Sequence, residues 1–201
     1  MALVNVGGFE YFSVERALEL VGGDAIFISN EGEELFICIF DGAGHGENAH
    51  KIACAGIHYV KENKHLDLPD LMKGLHKKLN GTHGAVAIIG RLNIKTRKLS
   101  YVGIGNIFLR VFGDKSKREI TQGGVIGYQI RTPKEKCISI NFGDIVVFHT
   151  DGISSRFNET DYPNIFWDDA EIISNTLLSN FGKSNDDATC AVIRFTEIDK
   201  N

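Results

Sequence analysis

Hydrophobic and polar positions follow one another in short runs that predict a chain rich in β-strands. Each run is apolar, contains β-branched or aromatic residues, and is bounded by glycine or polar turn residues. Eight segments show this pattern: 24–29, 34–40, 84–93, 98–105, 107–112, 136–141, 144–150 and 188–195. Short polar turns join neighbouring runs within 91–102 and within 136–148, the second turn falling at Gly143-Asp144, so we predict a hairpin in each.

Three other stretches repeat their apolar residues with the period of an α-helix. They cover residues 47–63, 67–80 and 168–181. For the second helix we expect Asp67 as the N-cap and Gly81 at the C-terminal end. For the third, Asp168 or Asp169 stands near the start and Gly182 follows the end. The predicted buried stripes are Ile52, Ala53, Ile57 and Val60; Leu68, Leu71, Met72, Leu75 and Leu79; and Ile172, Ile173, Thr176 and Leu177. Hairpins and separate helical blocks predict an α+β fold with antiparallel sheets covered by helices.

Composition narrows the classes of protein to consider. The 201 residues suit a single domain over 1–201, and a net charge of −4 without a basic block argues against nucleic acid as a partner. No apolar run reaches the roughly 18 to 20 residues that span a bilayer, and the first residues do not resemble a secretory signal. The four cysteines are widely spaced and show no C-x-x-C pattern, and Cys38 and Cys190 lie within apolar runs. We therefore expect these two to be buried free thiols, in a protein of the reducing cytoplasm.

Aspartates stand at the ends of four apolar runs, usually beside glycine. A lone Asp-Gly after a strand is commonly a turn, and Asp144 is interpreted in that way. The other four stretches adjoin strongly apolar sequence and have no basic residue nearby to neutralise their aspartates; they carry Asp24, Asp41, Asp151 and the pair Asp186-Asp187. Carboxylates that converge in a core repel one another and lose hydration, and a hard divalent cation with oxygen ligands relieves both costs.

The segment after Asp41 carries almost no side-chain bulk. Gly42, Gly44 and Gly46 leave room for the backbone to approach a metal ion and a phosphate group closely. The carbonyl oxygen of Gly42 is therefore a candidate metal ligand. The helix that starts near Glu47 points its positive end toward the same loop.

Three motifs in a fixed order give the sequence a recognisable pattern. "DGAGHG" at 41–46, "TDGI" at 150–153 and "DDAT" at 186–189 resemble the metal-dependent protein phosphatases of the type 2C superfamily, in its bacterial SpoIIE/RsbX-like branch. The resemblance extends from about Asp24 to the last predicted strand. It implies an α-β-β-α sandwich in which helices flank two antiparallel sheets, in agreement with the pattern of strands and helices.

The resemblance also implies a metal centre and a mechanism. By motif position, Asp41 would bridge two Mn²⁺ or Mg²⁺ ions, the Gly42 carbonyl would be a ligand, Asp151 and Asp186 would complete the first ion's site, and Asp24 would serve the second ion. Asp41 and Asp151 are therefore the catalytic candidates. The two ions, about 3.5 to 4 Å apart, would hold a bridging hydroxide that attacks phosphorus directly, so no phosphoenzyme forms.

The chain departs from the family pattern at several positions. Eukaryotic members carry a general-acid histidine two residues after the bridging aspartate, where this chain has Ala43. His45 is interpreted as a histidine that shapes the loop, and Asn106 stands where other members have the aspartate of a third metal site. His149 is interpreted as a packed core histidine, while Arg156 is either a contact for substrate phosphate or a solvated cation.

The implied activity is the hydrolysis of phosphoserine or phosphothreonine in a protein. By analogy, the substrates would be phosphorylated STAS-domain proteins of a stressosome or of an anti-sigma pathway. Two alternatives from other classes remain. One is a binding module that keeps the fold but has lost turnover, and the other is a metal hydrolase for small phosphoesters.

Overall fold

The protein folds as two antiparallel β-sheets packed face to face. The computed structural model describes residues 4–6, 9–158 and 163–195. One sheet has the strand order β1-β2-β13-β12-β7-β8, with bounds Val4–Val6, Phe9–Arg16, Ala188–Phe195, Ile145–His149, Phe108–Phe112 and Lys117–Glu119. The other has the order β11-β6-β5-β4-β3, with bounds Lys136–Ser139, Lys98–Ile104, Ala85–Asn93, Glu34–Gly42 and Asp24–Glu31. A separate short hairpin pairs β9, Gly124–Val125, with β10, Gln129–Ile130.

Helices cover the outer face of each sheet. Helices α1, Gly46–Asn63, and α2, Leu68–Lys78, pack on the five-stranded sheet, whereas α3, Ala170–Phe181, packs on β2 and β13 of the other sheet. A short 3-10 helix, Pro163–Trp167, precedes α3. These layers give an α-β-β-α sandwich, so the predicted fold class is confirmed. Among the helices of the described residues, none combines the length and apolar character needed to cross a bilayer.

Three apolar layers hold the sandwich together. The central layer lies between the sheets and contains residues such as Ile37, Tyr101 and Phe148. A second layer fills the space between α1, α2 and their sheet, and a third lies under α3. The period-2 alternation of β4 sends Ile37 and Ile39 to the central layer and Cys38 and Phe40 to the helical one.

All eight predicted strands and all three predicted helices are present, but one predicted pairing is wrong. The hairpin over 91–102 forms between β5 and β6. The hairpin over 136–148 does not form, because β11 pairs with β6 while β12 pairs with β7 and β13 of the other sheet. At the crossing, Gly143 has φ +81° and the carboxylate of Asp144 accepts the Asn141 N–H at 2.7 Å. The Gly143-Asp144 turn therefore carries the chain from one sheet to the other.

The helix predictions are confirmed with two local corrections. The predicted stripes of α1 and α2 are buried. On α3, however, Ile172 is 47% exposed and Thr176 is half-buried, while Ala170 and Ser174 take the buried positions beside Ile173 and Leu177. Asp169 caps α3 by accepting the Ile172 N–H at 2.8 Å, whereas Asp67 stands at the N-cap of α2 without a side-chain cap. Cys38 and Cys190 are buried free thiols, as predicted.

Candidate metal centre

The two sheets bring four of the acidic segments to one edge of the sandwich. Asp24 begins β3 and Asp41 lies near the end of β4, where the antiparallel register places their Cα atoms directly opposite each other. Asp151 follows β12 and Asp186 precedes β13, two strands that are neighbours in the other sheet. Residues separated by more than 160 positions therefore meet where both sheets end.

Burial and mutual repulsion raise the pKa values of Asp24, Asp41 and Asp186. Burial is the largest cause at Asp41 and, with the charges of Asp24, Asp151, Asp186 and Asp187, raises its pKa to about 8. Burial also raises the pKa of Asp24 to about 7, against the opposing effect of the Thr150 hydroxyl that donates to it. The pKa of Asp186 is raised by burial first and then by Asp151. The shared effects show that the four predicted ligands form one electrostatic cluster.

The donor set fits a hard divalent cation. Carboxylate oxygens that share a partly desolvated edge gain from a cation that neutralises their charge, and divalent magnesium or manganese prefers such oxygens. Within the part of the chain that the structure describes, no three acidic, histidine or cysteine side chains are drawn together tightly enough to hold an ion as they stand.

Asp187 has a different task from its neighbour Asp186. Its side chain is 6% exposed, and its two oxygens accept the backbone N–H groups of Leu18 and Gly23, each at 2.6 Å. With both oxygens engaged, Asp187 fixes the loop that leads into Asp24. The half-buried Asp186 keeps its carboxylate available, which supports the choice made from the motif.

Hydrogen bonds from Thr150, just after β12, and from Asn106, between β6 and β7, hold two of the aspartates. The hydroxyl of Thr150 donates to Asp24 Oδ2 at 2.8 Å and accepts the Thr189 N–H at 3.0 Å. The amide of Asn106 donates to Asp151 Oδ2 at 2.6 Å. Sequence reasoning missed the role of Thr150, although its place beside Asp151 in the "TDGI" motif was a signal. Asn106, considered above only for a third metal site, instead holds Asp151.

Packing requires two of the motif glycines, Gly42 and Gly152. A Cβ on Gly42 would lie 2.6 Å from the carbonyl oxygen of Ala49, so α1 packs directly on the backbone at this point. A Cβ on Gly152 would lie 1.7 Å from the carbonyl oxygen of Asp187, which joins the second and third motifs. At these two positions the missing side chain allows close packing within the protein. The approach of a metal ion and a phosphate group to the Gly42–Gly46 segment stays a prediction.

The remaining histidine and arginine candidates lie around the cluster. His45 occupies the N-cap position of α1, and its Nδ1 contacts Glu19 Oε1 on the loop before β3. His149 is fully buried and stacked on Phe108 at 4.7 Å; burial lowers its pKa to about 4, so the ring is neutral. This agrees with its interpretation as a packed histidine. Arg156 is exposed on the loop after Asp151.

Comparisons with known proteins give a consistent family and fold. The family model of stage II sporulation protein E (SpoIIE) matches residues 31–196. The phosphoserine phosphatase RsbX of Bacillus subtilis (strain 168) is 23% identical over 145 residues, which are 71% of this chain and 73% of that protein.

Two solved structures share the whole architecture. A chain from a study of the bacterial stressosome, described as a modular system adapted to control secondary messenger signalling, superposes with a TM-score of 0.84 at 25% identity. The alignment covers 92% of this chain and 99% of that one. RsbX in complex with magnesium has a TM-score of 0.83 at 20% identity, over 97% of this chain and 99% of that one. The resemblance predicted from three motifs is therefore confirmed.

Proposed function

This chain belongs to the stage II sporulation protein E (SpoIIE) family, and we infer its function from that membership. We propose that it forms one domain that hydrolyses phosphoserine or phosphothreonine in a protein substrate. The observation that carries the proposal is the meeting of Asp24, Asp41, Asp151 and Asp186 at one desolvated edge. A similar protein, RsbX of Bacillus subtilis, is a phosphoserine phosphatase.

Two divalent cations, Mn²⁺ or Mg²⁺, are the proposed cofactors. Asp41 would contact both ions, the Gly42 carbonyl would be a ligand beside it, Asp151 and Asp186 would complete one site, and Asp24 would serve the other. When bound, such ions lower the pKa of water so that it attacks phosphorus directly, and they offset the charge of the phosphoryl group. The structure of RsbX with magnesium supports a divalent metal in this fold.

The chain's own residues provide the order that this chemistry needs. Thr150 and Asn106 hold Asp24 and Asp151 in place through hydrogen bonds of 2.8 Å and 2.6 Å. Helix α1 begins at Gly46, five residues after Asp41, and its positive N-terminal end favours a negative group at this edge. Neutral, buried His149 packs behind the Thr150-Asp151 segment and adds no charge of its own.

The proposed substrates are phosphorylated STAS-domain proteins of a stressosome or of an anti-sigma pathway. Similarity to RsbX and to a chain from the stressosome study supports this class by analogy. A cytoplasmic location is part of the same proposal, and the buried free thiols of Cys38 and Cys190 suit a reducing compartment.

Phosphate release from a phosphorylated STAS-domain protein tests the proposal. We expect hydrolysis that requires Mn²⁺ or Mg²⁺ and that Asp41→Ala or Asp151→Asn abolishes, with the circular dichroism of both variants unchanged. Activity that persists in EDTA contradicts the metal mechanism. Tight binding without hydrolysis identifies a binding module, and preference for a free phosphoester over the phosphoprotein identifies a small-molecule hydrolase.

A further inference from the structure

A loop beside the metal centre presents leucine side chains to solvent. This loop, residues 17–23, connects β2 to β3 and is called the rim loop here. Leu20 is fully exposed, with 103% of its reference area accessible, and Leu18 is 41% exposed. Single exposed leucines are common on protein surfaces, so exposure alone assigns no role to them.

Backbone hydrogen bonds hold the rim loop in place, while its two leucine side chains are exposed. Asp187 accepts the N–H groups of Leu18 and Gly23. The carbonyl oxygen of Gly23 accepts the Gly42 N–H at 2.9 Å, and that of Gly22 accepts the ring N–H of His50 at 3.0 Å. The side chain of Glu19, between the two leucines, contacts His45. A loop fixed in this way offers its apolar side chains at little further cost in conformational entropy.

Two of the residues that hold the rim loop through hydrogen bonds lie at the candidate metal centre. Asp187 adjoins Asp186, Gly42 adjoins Asp41, and the loop ends at Asp24. Leu20 precedes Asp24 by four residues, so at most about 14 Å of extended chain separates them. The rim loop therefore lies beside the edge that a phosphoserine has to reach.

We propose that the rim loop is a contact surface for the phosphoprotein substrate, and that Leu20 and Leu18 pack against apolar side chains beside its phosphorylated residue. This inference rests on the proposed phosphatase function. On this loop Glu19 contacts His45, and Leu18 and Leu20 are the large apolar side chains that the loop presents to a protein surface. Apolar anchors that become fully desolvated supply most of the energy in such contacts.

Truncation of the leucines separates protein recognition from chemistry. The variants are Leu20→Ser and the double variant Leu18→Ser/Leu20→Ser, which leave the backbone anchors of the loop unchanged, and Leu20→Met keeps the apolar contact. The matched control is Trp167→Ser, since Trp167 is 76% exposed. Trp167 lies far from the metal centre, because the carbonyl oxygen of its neighbour Asp168 accepts a hydrogen bond from Arg194. Arg194 is about 20 Å along β13 from Ala188, the residue that follows the Asp186-Asp187 pair.

Steady-state kinetics are compared for a phosphorylated STAS-domain protein and for p-nitrophenyl phosphate, both at saturating Mn²⁺. We expect Leu20→Ser to lower kcat/KM for the phosphoprotein about tenfold, mainly through KM, and the double variant to lower it further. Hydrolysis of p-nitrophenyl phosphate by these variants should stay within about twofold of the unaltered protein, as should both activities of Trp167→Ser and Leu20→Met.

Several outcomes overturn the inference. Equal kinetics of Leu20→Ser and the unaltered protein on the phosphoprotein reject the contact, and equal losses on both substrates show a disturbed centre instead. If light scattering finds a dimer that Leu20→Ser dissociates, the leucines contact a second copy of the chain. An unaltered protein that hydrolyses neither substrate refutes the proposed function; hydrolysis of p-nitrophenyl phosphate alone rejects the substrate class and, with it, this contact surface.

Discussion

The hydroxyl of Thr150 donates a hydrogen bond of 2.8 Å to the carboxylate of Asp24, across the two sheets of the sandwich. Thr150 follows β12 of one sheet and Asp24 begins β3 of the other. The same hydroxyl accepts the N–H of Thr189 at 3.0 Å. A single buried side chain thus ties Asp24 to the segment that carries Asp151 and so links the two proposed ion sites.

Removal of this hydroxyl should weaken metal binding more than it weakens the fold. We expect Thr150→Val to reduce Mn²⁺ affinity about tenfold, as is typical when a group that orients a metal ligand is lost, while Thr150→Ser retains affinity. Isothermal titration calorimetry measures the affinity.

Thr82→Val is the matched control for this substitution. The Thr82 hydroxyl also makes two hydrogen bonds, to the Leu79 carbonyl at 2.7 Å and from the Gly84 N–H at 3.0 Å, and neither of these bonds involves a carboxylate. Similar Mn²⁺ affinities for Thr150→Val and Thr82→Val would show that Thr150 does not position Asp24.

The raised pKa values of Asp24 and Asp41 should make the metal-free protein lose stability as the pH rises. Both carboxyls bind their proton more tightly when folded, with pKa values of about 7 and about 8 against 3.8 for the free side chain. Between about pH 4 and pH 8 the folded state therefore holds more protons than the unfolded state, and the free energy of unfolding falls with pH.

Asp41→Asn isolates this effect. In EDTA at pH 8 we expect the variant to exceed the unaltered protein in unfolding free energy by at least about 1 kcal/mol, since one pKa unit corresponds to about 1.4 kcal/mol. The difference should shrink toward pH 4 and reverse in Mn²⁺. Urea denaturation measures it, with the exposed Asp70→Asn as a charge control. A variant no more stable than the unaltered protein at pH 8 would contradict the predicted burial of charge.

Asp186 and Asp187 should respond differently to the same substitution. Asp187→Asn removes one of two oxygens that accept backbone N–H groups of the rim loop, and an unsatisfied buried donor costs about 1 to 3 kcal/mol of stability. Asp186→Asn should leave the stability in EDTA unchanged or higher, because burial and Asp151 raise the pKa of Asp186, but it should abolish Mn²⁺-dependent hydrolysis. The reverse pattern would make Asp187 the ligand.

His45 should contribute to the loop rather than to proton transfer. Its Nδ1 contacts Glu19, and its ring is exposed at the start of α1. We expect His45→Ala to lower kcat on a short phosphoserine peptide by less than about tenfold, whereas removal of a general acid typically costs a factor of about 10² to 10⁴. A loss of a hundredfold or more, at saturating peptide and Mn²⁺, would assign the general-acid role to His45.

The spacing of apolar residues was sufficient to predict most strands and the three α-helices, but not how distant strands pair. Residues 136–148 have the composition of a hairpin, yet the two strands enter different sheets because Gly143 and Asp144 redirect the chain. Strand β2 was not predicted, although its residues Phe9, Tyr11 and Phe12 are buried. Its apolar residues are interrupted by Glu10 and Ser13, both of them buried, so the segment shows neither a continuous apolar run nor a strict alternation.

The acidic positions of the site were visible in the sequence because motifs fix their order. Their supporting contacts were not, since the Thr150-Asp24 bond joins residues 126 positions apart and the Asp187-Gly23 bond joins residues 164 positions apart. Local sequence does not encode such pairs. The rim loop was also missed, because its leucines look like part of an apolar run until the fold leaves them exposed.

Anomalous diffraction from crystals soaked in Mn²⁺ tests the central claim most directly. We predict two manganese peaks at the shared edge of the sheets, with Asp41 in contact with both ions, the Gly42 carbonyl, Asp151 and Asp186 among the ligands, and Asp24 beside the second ion. Peaks bound by other residues, or no peak at this edge at saturating Mn²⁺, would contradict the assignment of a metal-dependent phosphatase centre.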